Sequence, residues 1–321
     1  MGKTAFIFPG QGAQYNGMAR DFVDNHPKSR LAFEEANDRL GFDLKKIVMD
    51  GTPEELQQTM VTQPAILTAS YSIMTAVEDS GIDCDYTAGL SLGEYNSLIK
   101  AKAMRFGDAV SVVRQRGIFM QDAVPSGVGG MAAVMGMEYE ILKECLKEAQ
   151  CEGVVEMANF NSPEQMVISG DLKAVKFAVD IVGRKGAKKA VMLPVSAPFH
   201  SSLLKPAAER LQAVLMDTPV YPLEKYVVTN ADAKVLEKED EIVPSLVKQV
   251  NNSVLWVPSI EFMMDNDVDT FIEIGPGKAL SGFVKRIAKR KGKDVRTYNV
   301  ENIETLDRLK KDISSGGDNE S

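Results

Sequence analysis

The chain has 321 residues, 44% of them hydrophobic and 26% charged, so it can form a substantial core and is not an intrinsically disordered protein. Its 37 Lys and Arg against 45 Asp and Glu give a net charge of −8, which argues against nucleic acid as the main partner. No stretch approaches the roughly 18 uncharged apolar residues of a transmembrane helix, and the first residues contain no cleavable apolar segment, so we expect no membrane partner. The three cysteines form no CxxC pair, which predicts free thiols in the cytoplasm and no zinc site.

The first part of the chain predicts the alternating strands and helices of an α/β fold. Strands are predicted at residues 4–8 and 85–88. Helices are predicted at residues 29–40, 53–58, 63–80, 93–103 and 107–121. Pro64 is expected in the first turn of the third helix, where a proline loses no helical hydrogen bond.

Between Pro125 and Pro194 the pattern changes to a compact unit. It reads strand 131–135, helix 137–149, strands 154–158 and 165–169, helix 171–182 and strand 188–193. This βαββαβ order is the ferredoxin-like arrangement. We therefore predict a ferredoxin-like subdomain at residues 127–193, inserted into a core formed by residues 1–126 and 194–321. The core resumes with strand 226–229, helix 244–250 and strand 270–274, and the polar tail from residue 314 is expected to fray.

The motif Gly89-Leu90-Ser91-Leu92-Gly93 lies between a predicted strand and a predicted helix. A GxSxG pattern in that setting is typical of a nucleophile elbow, where a sharp turn exposes the serine hydroxyl and the crowded backbone requires glycine on both sides. The N–H groups at the start of the following helix would then face the oxyanion that forms. Ser91 is therefore the candidate nucleophile. The alternative is an ordinary strand-to-helix turn that uses glycine for its backbone freedom.

Only two histidines are available as the base for such a serine. His26 stands in a polar turn before a helix, which favours a solvated surface side chain. His200 follows an apolar strand and opens a helix, where α/β domains present functional groups. The order of serine before histidine is that of hydrolase-type elbow enzymes. We expect His200 to be the base, and a structural hydrogen-bonding role is the alternative.

Arg116 falls on the apolar face of its predicted helix. At about 100° per residue, Val112, Val113, Phe119 and Met120 gather on one side with Arg116 among them. A guanidinium at such a place needs an anion, and its planar fork suits a carboxylate. The anion is either an Asp or Glu of this chain, in a buried ion pair, or the carboxylate of an acyl substrate.

Two glycine-rich segments give weaker signals. Residues 127–130 lack the preceding strand of a dinucleotide-binding fingerprint, and we interpret them as a hinge into the inserted unit. The segment Gly275-Pro276-Gly277-Lys278 lacks the spacing of a P-loop and predicts a strand-to-helix turn. Glu273, beside it, is an acid without a predicted role.

Taken together, these residues resemble the malonyl-CoA:acyl carrier protein transacylase family of fatty acid synthesis, and the chain is similar also to polyketide synthase acyltransferase domains. The resemblance covers nearly the whole chain and runs through seven ordered blocks. The blocks are Phe8-Pro9-Gly10-Gln11-Gly12-Ala13-Gln14, Gly89-Leu90-Ser91-Leu92-Gly93-Glu94-Tyr95, Arg116-Gly117-Ile118-Phe119-Met120-Gln121, Asn161-Ser162-Pro163, Phe199-His200, Gln249 with Val254 and Trp256, and Glu273-Ile274-Gly275-Pro276-Gly277.

The resemblance implies an α/β-hydrolase-like core with a ferredoxin-like insertion. It implies Ser91 as nucleophile, His200 as general base, and the backbone N–H groups of Gln11 and Leu92 as the oxyanion hole. It also assigns the last three roles of the site. They are a carboxylate clamp at Arg116, a bulky residue that selects malonyl over methylmalonyl at Phe199, and a main-chain carbonyl that orients the histidine at Gln249.

The implied reaction moves a malonyl group from malonyl-CoA to the phosphopantetheine thiol of acyl carrier protein, with a malonyl-Ser91 ester between the two steps. No metal or bound prosthetic group is needed, and we expect a monomer. The carrier protein is acidic, so a local basic face is expected, and Lys189 and Arg286 are the candidates to flank the cleft. The alternative is that these side chains are only solvated.

Two positions depart from the family pattern. Leu90 stands where histidine is common, which alters the packing behind the serine, and Ser253 stands where proline is frequent, which weakens the assignment of the Gln249 carbonyl. Other function classes stay open at this point: a polyketide-pathway acyltransferase, a serine esterase or thioesterase, and a non-catalytic carrier-binding module. Arg116 distinguishes the transferases, since hydrolases of plain acyl esters have no need of it.

Overall fold

The computed structural model describes residues 2–125, 127–195 and 197–316. The strands in this part of the chain are β1 (Lys3–Phe8), β2 (Tyr86–Gly89), β3 (Gly129–Met135), β4 (Val155–Ser162), β5 (Gln165–Asp171), β6 (Lys189–Met192), β7 (Tyr226–Val228), β8 (Val268–Ile274) and β9 (Arg296–Val300). The helices are α1 (Arg20–Asn25), α2 (Pro27–Leu40), α3 (Leu44–Asp50), α4 (Pro53–Gln57), α5 (Thr59–Asp79), α6 (Gly93–Lys100), α7 (Phe106–Asp122), α8 (Tyr139–Ala149), α9 (Leu172–Arg184), α10 (Lys205–Met216), α11 (Ile242–Val250), α12 (Trp256–Asp265), α13 (Ala279–Lys291) and α14 (Ile303–Gly316).

A parallel sheet with the strand order β7-β2-β1-β8-β9 forms the centre of an α/β fold. Its middle strand, β1, is apolar and fully buried from Ala5 to Phe8. Phe6 and Phe8 belong to one hydrophobic core, and Ala5 and Ile7 belong to another, because successive side chains of a strand point to opposite faces. Both faces of the sheet are therefore covered, which explains why β1 shows no polar alternation in the sequence.

The second sheet is antiparallel and has the order β4-β5-β3-β6. Its six elements, β3, α8, β4, β5, α9 and β6, follow one another in the order predicted for residues 127–193. The apolar faces of α8 and α9 cover one side of this sheet and form a separate small core. Met131 and Val167, on the other side, belong to the large core, so this sheet packs directly against the rest of the protein.

Helix α5 begins at Thr59, four residues before its predicted start, and Pro64 lies inside it. A proline has no N–H, so the carbonyl of Met60, one turn earlier, cannot form its usual helical bond. Arg114 Nη1 donates to that carbonyl at 2.7 Å. The helix accommodates its proline because a neighbouring side chain replaces the missing donor.

The structure also contains elements that were not predicted or that end elsewhere than predicted. Strand β9 was not predicted, because Arg296–Val300 is a polar, partly exposed edge strand with little apolar pattern. The tail was expected to fray from residue 314, but α14 continues to Gly316. The predicted domain boundary at residue 126 and residues 317–321 lie outside the described part of the chain. None of the helices in the described ranges combines the length and apolar content needed to cross a bilayer.

Candidate active site

The GxSxG segment forms a sharp turn between β2 and α6. Ser91 has φ 54°, a left-handed conformation that costs a non-glycine residue energy. A Cβ atom on Gly89 would lie 1.9 Å from the carbonyl carbon of Gly93, and a Cβ on Gly93 would lie 2.2 Å from the oxygen of Phe8. Neither distance is possible, so both flanking positions require glycine. The turn presents the serine hydroxyl at the carboxyl end of the sheet.

His200, which lies after the inserted unit in the chain, contacts Ser91. Its Nε2 lies 2.7 Å from Ser91 Oγ, and its Nδ1 lies 2.9 Å from the main-chain oxygen of Gln249. Because a carbonyl only accepts, Nδ1 carries the proton and Nε2 faces the hydroxyl with its lone pair. Burial, and secondly the charge of Arg116, lowers the pKa of His200 to about 4. The ring is therefore neutral at neutral pH, as a base must be.

Arg116 is 1% exposed and holds only neutral partners. Nη1 donates to Gln63 Oε1 at 2.8 Å, while Nη2 donates to Gln249 Oε1 at 3.0 Å and to Ser91 Oγ at 3.1 Å. Within the described residues, no Asp or Glu forms a salt bridge with it, and its Nε has no hydrogen-bond partner. The buried ion pair offered as an alternative in the sequence is therefore absent from this part of the chain. Burial lowers the pKa of Arg116.

The resemblance predicts that two backbone N–H groups form the oxyanion hole. Gln11 and Leu92 both line the cavity that contains Ser91. Leu92 is the residue that precedes the first turn of α6, where helical N–H groups have no carbonyl partner. Among the described residues, the N–H groups of Gln11 and Leu92 donate to no protein atom. Both N–H groups are thus unpaired in the described part of the chain, and the oxyanion hole stays a prediction.

This cavity has a volume of about 280 Å³ and lies between the two sheets. Phe199 is 7% exposed and forms part of its wall, as does Leu90. Further lining residues come from the antiparallel sheet and its flanks; they include Met131, Ala133, Asn159, Asn161, Gln165, Val167 and Leu193. The cavity that contains Ser91 is therefore lined by residues from both parts of the fold.

Gln249, on α11, is fully buried and connects most of the site. Its Nε2 donates to the main-chain oxygen of Ser91 at 2.9 Å and to Glu94 Oε2 at 3.0 Å. Its Oε1 accepts from Arg116, and its main-chain oxygen accepts from His200. The family resemblance implied only the last of these contacts. Gln249 also fixes the guanidinium and the turn that carries the serine.

Three buried polar residues of the site were missed in the sequence. Asn230 Oδ1 accepts from the N–H of Ser91 at 2.5 Å, Gln63 accepts from Arg116, and Glu94 accepts from Gln249. Asn230 follows β7 at the same carboxyl edge of the parallel sheet as Ser91, and that position was the available signal. Nothing in the local sequence distinguishes Gln63, which lies within the long apolar helix α5.

The departure at Ser253 does not displace the Gln249 carbonyl. Ser253 Oγ donates to the oxygen of Met157 at 2.6 Å, and the N–H of Val254 donates to Ala158 at 2.8 Å. These bonds attach the segment after α11 to β4. Leu90 packs against the core behind the turn and lines the cavity.

Other sequence candidates lie apart from the site. Lys189, on β6, and Arg286, on α13, are exposed and do not line the cavity. His26 was expected to be solvated, but it caps α2 by accepting from the N–H of Ser29 and lies 3.1 Å from Asp79. Its side chain is half-buried because this cap draws the ring against the helix. In the parts of the chain described above, no group of three or more His, Cys, Asp or Glu side chains could hold a metal ion.

Comparisons with known proteins show the family to which the chain belongs. A family described as "Acyl transferase domain" matches residues 5–315. The chain is 42% identical over 320 residues to a malonyl CoA-acyl carrier protein transacylase of Bacillus subtilis, which covers 99% of this chain and 100% of that protein. The crystal structure of a malonyl CoA-acyl carrier protein transacylase from Clostridium perfringens superposes with a TM-score of 0.93 at 42% identity, over 98% of each chain.

A second solved structure contains a malonyl-transacylase in complex with its type II PKS acyl-carrier protein. It has a TM-score of 0.93 and 38% identity, over 97% of this chain and 99% of that one. The family match covers well over half of the chain, and the similarity to these relatives extends over nearly all of it. The chain therefore belongs to the acyl transferase domain family and is an acyltransferase.

Proposed function

We propose that the protein transfers the malonyl group of malonyl-CoA to the phosphopantetheine thiol of an acyl carrier protein, in support of fatty acid synthesis. The observation that carries this proposal is the buried guanidinium of Arg116, whose Nη2 lies 3.1 Å from Ser91 Oγ and which forms no salt bridge with a carboxylate among the described residues. A buried cation of this kind favours an acyl group that brings its own carboxylate. The transacylases of similar sequence carry the same activity in their names.

In the first half-reaction, Ser91 Oγ attacks the thioester carbonyl of malonyl-CoA while its proton passes to Nε2 of His200. The oxyanion of the tetrahedral intermediate accepts from the N–H groups of Gln11 and Leu92. The C–S bond then breaks, the proton on His200 passes to the leaving thiolate, and malonyl-Ser91 remains. The main-chain oxygen of Gln249 keeps the ring oriented and stabilises its transient charge.

The second half-reaction repeats these steps with a new nucleophile. The thiol of the carrier's phosphopantetheine loses its proton to His200 and attacks the ester carbonyl. The same two N–H groups stabilise the oxyanion, and the proton returns to Ser91 Oγ as the ester breaks. Phe199 fills the wall beside the reacting carbons, which disfavours an α-methyl group, and Arg116 disfavours acyl groups that leave its charge unpaired.

We also propose the domain division expected from the sequence. Residues 127–193 form a ferredoxin-like subdomain inserted into an α/β-hydrolase-like core of residues 1–126 and 194–321. The strand order of the antiparallel sheet and its two covering helices support this division. The three free cysteines support a cytoplasmic setting. We propose that the protein acts as a monomer without a bound cofactor, and that Lys189 and Arg286 contact the acidic carrier protein.

Intact-protein mass spectrometry tests this function. We expect brief mixing with malonyl-CoA to give a one-malonyl adduct that peptide mapping assigns to Ser91. Adding carrier protein with its phosphopantetheine arm should then move the malonyl group to the carrier thiol. Loss of the adduct as free malonate, with or without carrier protein, would instead indicate a thioesterase, and the absence of both adduct and turnover would indicate a binding module.

A polyketide carrier protein is the second candidate acceptor. It is favoured by the similarity to the transacylase solved with a type II PKS acyl-carrier protein. The two acceptors differ only in the second half-reaction. Malonyl-Ser91 is therefore prepared first and divided between the two kinds of carrier, and we expect faster discharge by the fatty acid carrier.

A further inference from the structure

Glu94, in the first turn of α6, is a buried acid without a role in the proposed chemistry. It is 1% exposed and directly follows the GxSxG segment. One of its oxygens, Oε2, accepts from the main-chain N–H of Asn230 at 2.8 Å and from Gln249 Nε2 at 3.0 Å. These two partners come from the segments after β7 and in α11, which are far apart in the chain. A single oxygen atom therefore joins three parts of the core.

The first branch from Glu94 leads to the nucleophile. Asn230 Oδ1 accepts from the N–H of Ser91 at 2.5 Å, and its Nδ2 donates to the oxygen of Gly89 at 2.7 Å. These bonds hold both ends of the strained turn, in which Ser91 has φ 54°. Strained backbone persists only when its surroundings constrain it. Glu94 holds the backbone of the residue that supplies this constraint.

The second branch leads to the base and the carboxylate clamp. Arg116 only donates, so the Gln249 side chain must turn its oxygen toward the guanidinium. The amide nitrogen of Gln249 then needs acceptors, which are the main-chain oxygen of Ser91 and Glu94 Oε2. Glu94 thus favours the amide orientation that Arg116 requires. The main-chain oxygen of the same glutamine orients His200.

We propose that Glu94 is a positioning residue. Its Oε2 atom holds Asn230, which constrains the turn of Ser91, and Gln249, which orients His200 and Arg116. This inference rests on the proposed acyl transfer at Ser91. The rate should therefore depend on the length of the Glu94 side chain and on its acceptor oxygen, and not on its charge. Burial raises the pKa of Glu94 to about 7, and a protonated carboxyl keeps an acceptor oxygen, which agrees with this assignment.

Two substitutions of Glu94 separate the effect of side-chain length from the effect of charge. Glu94→Asp keeps the carboxylate but shortens the side chain by one methylene, so it cannot meet both donors. Glu94→Gln keeps the length and an acceptor oxygen but removes the charge.

Glu273 provides a matched control, because it is also fully buried and accepts two main-chain N–H groups, from Leu280 and Ser281. Burial raises its pKa to about 7 as well, and it does not line the cavity.

The rate constant of Ser91 malonylation is measured on folded protein at saturating malonyl-CoA. We expect Glu94→Asp to lower it about 10²-fold, the effect of misplacing reacting groups by about 1 Å. Glu94→Gln should keep this rate constant within about tenfold of the wild-type value. Some loss is expected because a neutral acceptor forms a weaker bond than a charged one. Glu273→Asp and Glu273→Gln should lower the midpoint of thermal unfolding without a comparable loss of rate.

The wild-type reaction is measured first, so the two hypotheses fail in different ways. If wild type forms no malonyl-Ser91, the proposed function is wrong. If wild type reacts but Glu94→Asp is as fast, or Glu94→Gln is as slow as Glu94→Asp, the positioning role is overturned. An equal rate loss in the Glu273 variants at equal loss of stability would also overturn it, because the effect would then be that of destabilisation alone.

Discussion

The two strand-to-helix turns on either side of β1 look alike but serve different purposes. One joins β2 to α6 and contains Ser91, and the other joins β8 to α13 through Gly275-Pro276-Gly277. Each has a buried glutamate whose pKa is raised to about 7 by burial. At the second turn, Glu273 accepts from the N–H groups of Leu280 and Ser281, so the start of α13 is already satisfied.

At the first turn the buried glutamate, Glu94, does not cap the following helix. Glu94 accepts from Asn230 and Gln249, and the N–H of Leu92, a residue that lines the cavity, has no partner among the described residues. A strand-to-helix turn at this edge of the sheet thus becomes reactive when a serine is held in a strained conformation and nearby donors remain free. Arg116 adds a buried positive charge. Glu273, for which the sequence predicted no role, instead caps the start of a helix.

The largest expected effect is the loss of the serine hydroxyl. Ser91→Ala should reduce acyl transfer on the order of 10⁴-fold or more, because among the described residues no other nucleophile is hydrogen-bonded to His200. Ser281→Ala, at the second turn, removes a bond to the oxygen of Tyr298 and a side-chain bond to Glu273; because Ser281 does not line the cavity, this change should leave the rate unchanged. Thiol release from malonyl-CoA measures both. A residual malonyl adduct in Ser91→Ala at the wild-type rate would contradict the assignment of the nucleophile.

The glycines of the two turns should differ in their cost to stability. Gly89→Ala brings a Cβ atom to 1.9 Å from the carbonyl carbon of Gly93, and we expect a loss on the order of 3 to 5 kcal/mol in the free energy of unfolding. Gly277→Ala meets no atom within 4 Å and suffers only from its φ of 82°, about 1 to 2 kcal/mol. Denaturant unfolding compares the two. Equal losses would mean that crowding does not distinguish the turns.

The pH dependence of malonylation tests the surroundings of His200. Because its pKa is lowered to about 4, the rate constant should stay level as pH falls well below the ordinary histidine value of about 6.5. Arg116→Ala removes one cause of that lowering and should move the acid limb to higher pH, as measured with saturating acetyl-CoA. An unchanged acid limb in this variant would show that the guanidinium does not act on the base.

The free energy of unfolding should also depend on the titration of His200. The unfolded chain binds a proton at His200 near pH 6.5, whereas the folded chain does so only near the lowered pKa of about 4. Between these values the unfolded state binds more protons, so the contribution of His200 to the free energy of unfolding decreases as pH falls. Comparison of wild type with His200→Gln isolates this contribution. A difference that does not change over this range would contradict the buried neutral ring.

The smallest expected effect concerns the carrier protein. Charge reversal at Lys189 and Arg286 together should slow discharge of malonyl-Ser91 by carrier protein about tenfold at low ionic strength, and less at high salt. The same change at Arg308 and Lys310, on α14, is the control. Equal losses for both pairs, or a loss that salt does not reduce, would contradict a docking face at the first pair.

Much of the site could be predicted from local sequence. The glycines around Ser91 mark a turn that only a strained backbone needs, and the presence of only two histidines nearly determines the base. Helical spacing was enough to find Arg116, because a charge among apolar residues on one face is visible in the sequence. Every strand of the two sheets except β9 could be predicted for the same reason, since these strands are marked by apolar period and turn residues.

The rest depended on contacts between distant segments. Asn230 is marked only by its position after β7 and Gln63 by no local pattern, and their roles arise only when α5, α7 and the end of β7 pack around the turn. Whether Arg116 meets a carboxylate of the chain is likewise a property of tertiary packing. The start of α5 was misplaced because the replacement of the lost proline bond by Arg114 comes from another helix.

The most direct measurement is a competition at Ser91. Wild type and Arg116→Ala are each mixed briefly with equal concentrations of malonyl-CoA and acetyl-CoA, and the two adducts are counted by intact mass. We expect malonyl to exceed acetyl by about 10²-fold or more in wild type, and the ratio to fall to within about tenfold in Arg116→Ala. A wild-type ratio near one, or a ratio that Arg116→Ala leaves intact, would contradict the claim that the buried guanidinium selects the substrate.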